Sequence, residues 1–214
     1  TAVLFGDGAG AVVIEESKNK SDGEIYSFSN GLSSDNLEIL EIPNFGSAMD
    51  RFNPDEAARV RWTFDGQEIF KSGVRAMAQA SAEAIEKSGL SKEDVDIFIP
   101  HQANIRIVEA LEKKLGLPNA TTIKKVHRYG NTSAASIPTA FVDALEEGEI
   151  KGGEIAVFTA VGAGLAWGAC AVRLGDRVTP INKSDAKLPD FDGTATDTIK
   201  RAIEYQVPDK LDKI

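Results

Sequence analysis

Cysteine, histidine and positive charge are all scarce in this sequence of 214 residues. The one cysteine cannot form an internal disulfide, and with two histidines no Cys/His cluster has the spacing of a zinc site. The net charge of −9, from 24 Lys and Arg against 33 Asp and Glu, argues against nucleic-acid binding through a broad basic surface. The longest apolar runs, such as residues 155–161, are much shorter than a membrane span, and no secretory signal pattern opens the sequence. These absences predict a cytoplasmic protein without a metal site.

What the sequence does contain is the pattern of a layered α/β protein. Its hydrophobic fraction of 42% and charged fraction of 27% are ordinary globular values. Apolar spacing predicts helices over residues 66–88, 104–115 and 133–145, and Pro138 should kink the last helix or delay its start. Apolar runs predict strands, which are residues 24–28, 95–99, 121–123, 155–160 and 165–174. This alternation predicts a mixed sheet with helices on both faces.

The two ends of the chain fit that pattern less well. Two short apolar runs, residues 2–5 and 11–14, flank the segment Gly6-Asp7-Gly8-Ala9-Gly10 and predict a hairpin, which needs a sheet to join. We therefore expect a part of the protein upstream of this sequence. The Gly/Asp segment lacks the Lys-Ser/Thr of a phosphate-binding loop, so we interpret it as a structural turn. After residue 174, mostly polar residues predict a tail with one helix near residues 196–205.

Three places carry candidate chemistry, and each is weak by itself. His101 follows the predicted strand 95–99, at the kind of strand end where α/β sheets bind ligands, although a lone histidine is as often structural. Asn131 precedes a predicted helix, where asparagine is common as a helix cap or turn residue. Residues 162–164 join two predicted strands, where small residues either admit a ligand to the backbone or form a tight hairpin. The residue types leave these alternatives open.

Read in order, however, the segments around these places are specific. They are Pro-His-Gln-Ala-Asn at residues 100–104, Gly-Asn-Thr-Ser-Ala-Ala-Ser at 130–136 and Val-Gly-Ala-Gly-Leu-Ala-Trp-Gly at 161–168. Two more are Leu-Phe-Gly-Asp-Gly-Ala-Gly-Ala at 4–11 and Gly-Gln-Glu-Ile-Phe-Lys at 66–71. Together they resemble the C-terminal half of a β-ketoacyl-acyl-carrier-protein synthase III, of the thiolase-like condensing enzymes.

The resemblance covers residues 1–174 and implies a division of the chain into three parts. Residues 1–30 would be the end of an N-terminal thiolase-like half, including its final hairpin. Residues 31–174 would be the C-terminal catalytic half of the same layered fold. Residues 175–214 would be a tail that the shortest members of the family lack.

The implied activity is that of an acyltransferase. It condenses an acyl-CoA primer with malonyl-acyl carrier protein, with loss of CO₂, in fatty-acid or polyketide biosynthesis. His101 and Asn131 match the family's Cys–His–Asn triad, and their N–H groups would stabilise the malonyl enolate. The main-chain N–H of Ala163 matches a second oxyanion donor, which faces the acyl-cysteine thioester. The nucleophilic cysteine is expected in the absent N-terminal half, at the start of a buried helix.

Cys170 does not match that nucleophile, because it lies on the last predicted strand among small residues. We interpret it as a buried small hydrophobe, which disfavours a Cys–His hydrolase.

Other residues match binding positions of the family. Those expected beside the pantetheine arm of acyl-CoA, which is a substrate and not a permanently bound cofactor, are Leu4, Gly66, Phe70 and Asn104. Those expected to dock the acidic carrier protein are Arg106, Lys113 and Lys114, whose alternative role is a solvated helix face. The remaining implied partners are the N-terminal half and a second copy in a homodimer. Two rival functions stay open: a relative that transfers acyl groups or uses two CoA substrates, and a non-catalytic half that only scaffolds a partner.

Overall fold

A computed structural model describes residues 4–35, 37–42, 63–176 and 178, and five residues near the C terminus, which are 193, 194, 196, 197 and 200. The chain divides into two compact units, residues 1–181 and 182–214. In the second unit, the main-chain N–H and the hydroxyl of Thr194 both donate to Asp197 Oδ2 at 2.7 Å. Most of the helix predicted over residues 196–205 lies outside the described residues.

The first unit holds the regular elements of the described chain. The strands are β1 Glu24–Leu32, β2 Leu40–Glu41, β3 Thr63–Phe64, β4 Ile97–Pro100, β5 Thr121–Thr122, β6 Ile155–Gly162 and β7 Ala166–Arg173. The helices are α1 Gly66–Lys87, α2 Ile105–Leu115, α3 Val126–Tyr129 and α4 Ser136–Glu146. Each helix and strand predicted between residues 24 and 174 is therefore present, with its ends shifted by a few residues.

Five of the strands form one mixed sheet in the order β1-β7-β6-β4-β5. The pairs β1–β7 and β6–β7 are antiparallel, whereas β4 is parallel to both β6 and β5. The two parallel pairs are reached through helical crossovers, as parallel neighbours require. Strands β2 and β3 form a separate two-stranded sheet. The predicted mixed α/β fold is confirmed.

Both faces of the large sheet carry helices, because its central strands are apolar on both sides. Along β4, Phe98 points to one face and its neighbours Ile97 and Ile99 point to the other. The face of Phe98 packs against α1 and α2, with buried Met77, Leu111, Val157 and Ala171. The face of Ile97 packs against α4, with buried Ala140, Ala144 and Ala156. Small side chains at Ala140 and Ala144, one turn apart, allow α4 to lie close to the strands.

Pro138 lies in the first turn of α4, where a missing N–H costs no helical hydrogen bond. A short 3₁₀ turn, Ser133–Ala135, precedes the helix. Of the two outcomes predicted for this proline, the structure shows the delayed start.

The hairpin predicted at the N terminus is wrong for the described residues. Residues 6–18 form no strand, and Phe5 makes an isolated parallel bridge with Asn131. Val13 is 91% exposed, and its neighbours Val12 and Ile14 are 76% and 77% exposed. A two-stranded hairpin is marginal without further strands or a helix to cover it, and this segment has neither.

Within the described ranges, no helix is both long and apolar enough to cross a membrane.

Candidate active site

The end of β4, the start of α4 and the β6–β7 hairpin enclose an open cleft of about 390 Å³. Most of its lining is small or apolar, and the polar side chains in it are His101, Ser133 and Ser136. The other lining residues are Ala134, Ile137, Ala160, Val161, Gly162, Ala166, Trp167 and Gly168. A mostly apolar cleft with a few convergent polar groups is the usual form of a small-molecule site.

His101 directly follows the C-terminal end of β4, and hydrogen bonds of both its main chain and its ring hold it there. Its main-chain N–H donates to the carbonyl of Thr159 on β6 at 2.7 Å, which extends the parallel pairing past the strand end. Its Nδ1 lies 2.6 Å from the hydroxyl of Ser136, the first residue of α4. Burial lowers the pKa of His101 below its usual value, so the neutral imidazole is favoured at pH 7. A neutral imidazole can donate one N–H to a developing oxyanion.

The next residue, Gln102, holds this loop in place by hydrogen bonds of its side chain to the main chain. Its buried amide Nε2 donates to the carbonyls of Pro100 at 2.6 Å and Ile123 at 3.2 Å. Its Oε1 accepts the main-chain N–H of Lys125 at 2.8 Å. One buried side chain thus bonds three backbone groups and joins the segment around His101 to residues 123–125, which limits how far the ring can move.

The side chain of Asn131 is oriented by its own turn. Its Oδ1 accepts the main-chain N–H of Ser133 at 2.9 Å, so its carbonyl oxygen is occupied. This turn places Gly130 and Ser133 at positive φ, 66° and 53°, and the latter is a strained conformation for a residue with a Cβ. The bond leaves the Nδ2 amide group to act as the donor. A bond to the N–H two residues on is that of an Asx turn, one of the alternative roles that the sequence left open for Asn131.

The main chain of Asn131 is held by the N-terminal segment. The N–H of Gly6 donates to the carbonyl of Asn131 at 3.0 Å, and the N–H of Asn131 donates to the carbonyl of Leu4 at 3.2 Å. Because two bonds of opposite direction join the same two segments, the Leu4–Gly6 backbone fixes both the position and the tilt of the Asn131 peptide.

The glycines of this segment permit that close approach. A Cβ on Gly6 would lie 2.1 Å from the carbonyl oxygen of Tyr129, and one on Gly10 would lie 2.4 Å from Pro138 Cγ. A Cβ on Gly8 would lie 3.0 Å from Thr132 Cβ. The interpretation of residues 6–10 as a structural turn is wrong, since they run without a turn past the Asn131 loop. Their lack of side chains makes room for that loop.

A network of ion pairs and hydrogen bonds connects the helices on either side of the Asn131 loop. Tyr129 Oη donates to Asp143 Oδ1 at 2.7 Å, and Arg128 Nη1 donates to Asp143 Oδ2 at 3.0 Å. Lys125 Nζ pairs with Glu147 at 2.6 Å, and Arg128 Nη1 lies 3.2 Å from the same carboxylate. The bond to Asp143 raises the pKa of Tyr129. These bonds join α3 to α4, the two helices that flank Asn131.

Asn131 and the remaining predicted ligand positions are not among the residues that line the cleft. Ala163 is exposed in the turn between β6 and β7, next to the lining residue Gly162. Gly66 begins α1, and Phe70 in the following turn packs against the core of the α1–α2 face. Asn104 caps α2, its Oδ1 accepting the N–H of Arg106 at 2.8 Å. Leu4 is 47% exposed and contributes its carbonyl to Asn131.

The basic residues between 104 and 128 separate into two groups. Lys124 pairs with Glu112 at 2.7 Å, and Lys125 and Arg128 belong to the network with Asp143 and Glu147. The second group is Arg106, Lys113 and Lys114, which are exposed on α2 and form no ion pair with any residue that the structure describes. Arg106 and Lys113 are seven residues apart, so they lie on one helix face roughly 10 Å from each other.

Cys170 lies on β7 between Phe28 of β1 and Phe158 of β6. It lines a second, apolar cleft of about 440 Å³ and is not among the residues that line the cleft of His101. Burial raises the pKa of the Cys170 thiol, which disfavours the nucleophilic thiolate. In the part of the chain that the structure describes, no cluster of three or more His, Cys, Asp or Glu residues could hold a metal ion.

The residue types of Ser136 and Gln102 predict no role for either side chain in the site. Both stand inside the motifs that contain His101 and Asn131, but their roles depend on contacts across 34 and 23 residues of sequence. A serine at a helix start is common as a cap, so its residue type gave no signal of a contact with an imidazole.

Comparison with known proteins gives a consistent result. The family described as 3-oxoacyl-[acyl-carrier-protein (ACP)] synthase III C terminal matches residues 85–174. The β-ketoacyl-[acyl-carrier-protein] synthase III 2 of Vibrio cholerae is 48% identical over 210 residues, which cover 96% of this chain and 56% of that protein. The synthase III of Listeria monocytogenes is 46% identical over 175 residues, which cover 82% of this chain and 51% of that protein. The chain spans about half the length of these relatives.

The Vibrio cholerae match also bears on the tail. A match to 96% of the chain has to include most of the residues after 174, whereas the Listeria monocytogenes match covers only 82%. The tail is therefore shared with some relatives.

Solved structures agree with the sequence matches. The crystal structure of 3-oxoacyl-[acyl-carrier-protein] synthase III from Aquifex aeolicus is 39% identical, with a TM-score of 0.67, over 81% of this chain and 51% of that one. The enzyme from Pseudomonas aeruginosa gives a TM-score of 0.71 at 32% identity over the same shares. The fold is that of the thiolase-like condensing enzymes. Together with the cleft and its motifs, these matches assign the chain to the 3-oxoacyl-[acyl-carrier-protein] synthase III family, to whose C-terminal half it corresponds.

Proposed function

We propose that this chain is the C-terminal catalytic half of a β-ketoacyl-acyl-carrier-protein synthase III. The whole enzyme would condense an acyl-CoA primer with malonyl-acyl carrier protein in fatty-acid or polyketide biosynthesis. The observation that carries the proposal is the polar end of the cleft, where burial lowers the pKa of the half-buried His101 and where Ser133, whose main-chain N–H donates to Asn131 Oδ1, lines the same cleft. Both side chains can present N–H donors without adding a full charge.

These donors suit the decarboxylation step. The bond between the malonyl carboxylate and the α-carbon breaks, CO₂ leaves, and the electron pair passes into the thioester as an enolate. The N–H groups of His101 and Asn131 would stabilise the enolate oxygen, which carries most of the negative charge. Fixed donors that do not reorganise during the reaction account for much of the catalytic effect in such sites.

The condensation step follows at the same α-carbon. It attacks the carbonyl of the acyl group on a cysteine of the N-terminal half, and a new carbon–carbon bond forms. The tetrahedral oxyanion would accept the main-chain N–H of Ala163, and its collapse expels the cysteine thiolate. The β-ketoacyl product stays on the carrier protein.

Substrate binding would also use residues outside the lining of the cleft. We assign Leu4, Gly66, Phe70 and Asn104 to the pantetheine arm of acyl-CoA, on their positions in the family's motifs. Acyl-CoA enters as a substrate, and the reaction as written needs no permanently bound cofactor. Because the thioesters and the carrier protein are cytoplasmic compounds, we assign the enzyme to the cytoplasm.

An N-terminal half is the partner that this proposal requires. The apolar residues Val12 and Val13 are largely exposed, as is Phe28, which lines the second apolar cleft. Apolar side chains that are this exposed in one chain are typical of a surface that another polypeptide covers in the assembled protein. An N-terminal half that covers this surface would also supply the nucleophilic cysteine to the active site. We propose in addition that the assembled enzyme is a homodimer.

Expression of residues 1–214 with and without the N-terminal half tests the proposal. Alone, the chain should self-associate in light scattering and release no CO₂ from malonyl-acyl carrier protein. The protein expressed at its natural length should be a discrete oligomer that forms the β-ketoacyl product from acyl-CoA. An active, stable monomer of residues 1–214 would refute the need for the second half. An assembled protein without condensing activity would favour the scaffold function.

The unpaired basic residues of α2 are proposed to dock the acidic carrier protein. Replacement of Arg106, Lys113 and Lys114 by alanine should raise the KM for malonyl-acyl carrier protein about tenfold and flatten its salt dependence, because clustered charges speed encounter. Turnover of a small malonyl thioester should barely change. The matched control removes three exposed lysines elsewhere, Lys18, Lys87 and Lys151. Equal effects of the two triple variants would contradict a docking site on α2.

A further inference from the structure

Ser136 makes a contact with His101 that has not been given a role. The residue is 2% exposed and begins α4. Its hydroxyl oxygen lies 2.6 Å from His101 Nδ1 and accepts the main-chain N–H of Gln102 at 3.2 Å. One hydroxyl therefore contacts both the ring of His101 and the peptide that follows it.

The bond from Gln102 decides how the hydroxyl can interact with the ring. A serine hydroxyl has one proton to donate and two lone pairs, and the Gln102 N–H occupies one lone pair. Among the described residues, the imidazole Nδ1 is the one acceptor within hydrogen-bonding distance of the serine proton. If Nδ1 carried the ring proton instead, the serine proton would have no acceptor in a buried place, which native structures avoid.

The position of Ser136 in α4 favours the same state. α4 has 11 residues, and its N-terminal end carries a partial positive charge. An imidazolium at that end would be repelled, whereas a neutral ring that accepts a bond at Nδ1 is not. Burial of His101, which lowers its pKa, acts in the same direction.

We propose that Ser136 is a positioning residue that holds His101 as the neutral tautomer with its proton on Nε2. The Ser136 hydroxyl donates to Nδ1, and the opposite nitrogen is left as the N–H donor for an oxygen in the cleft. The proposal rests on the proposed function for the identity of that oxygen, an enolate. The tautomer itself does not depend on it.

Nitrogen NMR of the protein at its natural length, labelled with ¹⁵N-histidine, tests the tautomer. The His101 signals are those that vanish in the His101→Ala variant. At neutral pH, Nδ1 should resonate as an unprotonated ring nitrogen and Nε2 as a protonated one. In Ser136→Ala the two signals should move toward each other as the second tautomer becomes populated. A wild-type Nδ1 that carries the proton would overturn the proposal, and so would a Ser136→Ala spectrum identical to the wild type.

Kinetics separate this role from a purely structural one. Ser136→Ala should lower kcat for malonyl decarboxylation about tenfold, the low end for losing a partner that fixes a histidine tautomer, with less than about a twofold change in KM. Acylation by acyl-CoA should be unchanged. The matched control is Thr139→Val, since Thr139 Oγ1, among the residues that the structure describes, donates to carbonyls of its own chain segment, at Ala135 and Ser136. Equal losses in both variants would assign Ser136 to helix stability alone.

The two readouts also separate the proposals from each other. If the tautomer is as expected but the natural-length protein does not condense its substrates, the proposed function fails and the role of Ser136 stands. If condensation occurs and the tautomer is the other one, the reverse holds.

Discussion

Malonyl decarboxylation should fall on the order of a hundredfold when either His101 or Asn131 is replaced by alanine in the protein at its natural length. The reason is that each substitution removes one N–H donor from the enolate while leaving the apolar cleft in place. Acylation of the nucleophile by acyl-CoA should fall much less, because that step does not pass through the malonyl enolate. Release of ¹⁴CO₂ from labelled malonyl thioester and formation of the acyl-enzyme measure the two steps separately.

The chain provides matched controls for both substitutions. His127, its second histidine, is exposed on α3, and Asn119 bonds the carbonyl of Glu93 far from the cleft. Alanine at either position should leave decarboxylation within about twofold of the wild-type rate, as is usual for surface substitutions outside a site. If His101→Ala and Asn131→Ala keep normal condensation rates, the assignment of the two donors is wrong.

Gly6→Ala should cost a comparable factor without removing any group that touches the substrate. Its Cβ would lie 2.1 Å from the Tyr129 carbonyl, which cannot easily retreat because Tyr129 is bonded to the buried Asp143. The Leu4–Gly6 segment must therefore move, and its two hydrogen bonds to Asn131 lengthen or break. Displacement of a catalytic group by about 1 Å can reduce the rate about a hundredfold. Steady-state decarboxylation with malonyl thioester measures the effect as a loss in kcat.

Two further variants, Gly8→Ala and Ala9→Ser, should give smaller losses in kcat than Gly6→Ala. At Gly8 the nearest contact of a new Cβ would be 3.0 Å, to the side chain of Thr132, so the loss should be smaller than at Gly6. Ala9 is exposed in the same segment, and a serine there should leave kcat unchanged. A Gly6→Ala enzyme that keeps wild-type kcat would show that the segment does not position Asn131.

The sequence predicted the sheet and its helices well, because those elements are set by local periodicity. The 3.6-residue spacing of apolar residues in α1 determines which side of that helix is buried, and the continuous apolar run of β4 indicates a strand that is covered on both faces. The delayed start of α4 was one of two outcomes predicted at Pro138, the other being a kink, and both follow from the missing N–H of proline. The failure came at residues 11–14, where an apolar run has the composition of a strand. A strand also needs a neighbour, and composition does not specify one.

The candidate site was predicted in part for a similar reason. His101 and Asn131 were recognisable because each stands in a distinctive local motif. The bond between His101 and Ser136 was not, since it exists only where the end of β4 meets the start of α4. The close approach of Gly6 to Tyr129 likewise joins residues more than a hundred positions apart, and a glycine-rich segment suggests a turn far more often than such a contact.

The alternation of the three glycines limits how this part of the gene can change in length. Gly6, Gly8 and Gly10 face the Asn131 loop and the start of α4 because every second residue of an extended segment points to the same side. Insertion or deletion of one codon between Leu4 and Gly10 would turn Asp7 or Ala9 toward the Tyr129 carbonyl or Pro138, where a Cβ has no room. Insertion or deletion of two codons would keep the glycines on the side that faces the loop. It would, however, shift them by two residues relative to the loop residues that they now contact. Descendants of this sequence should therefore keep the number of residues between Leu4 and Gly10.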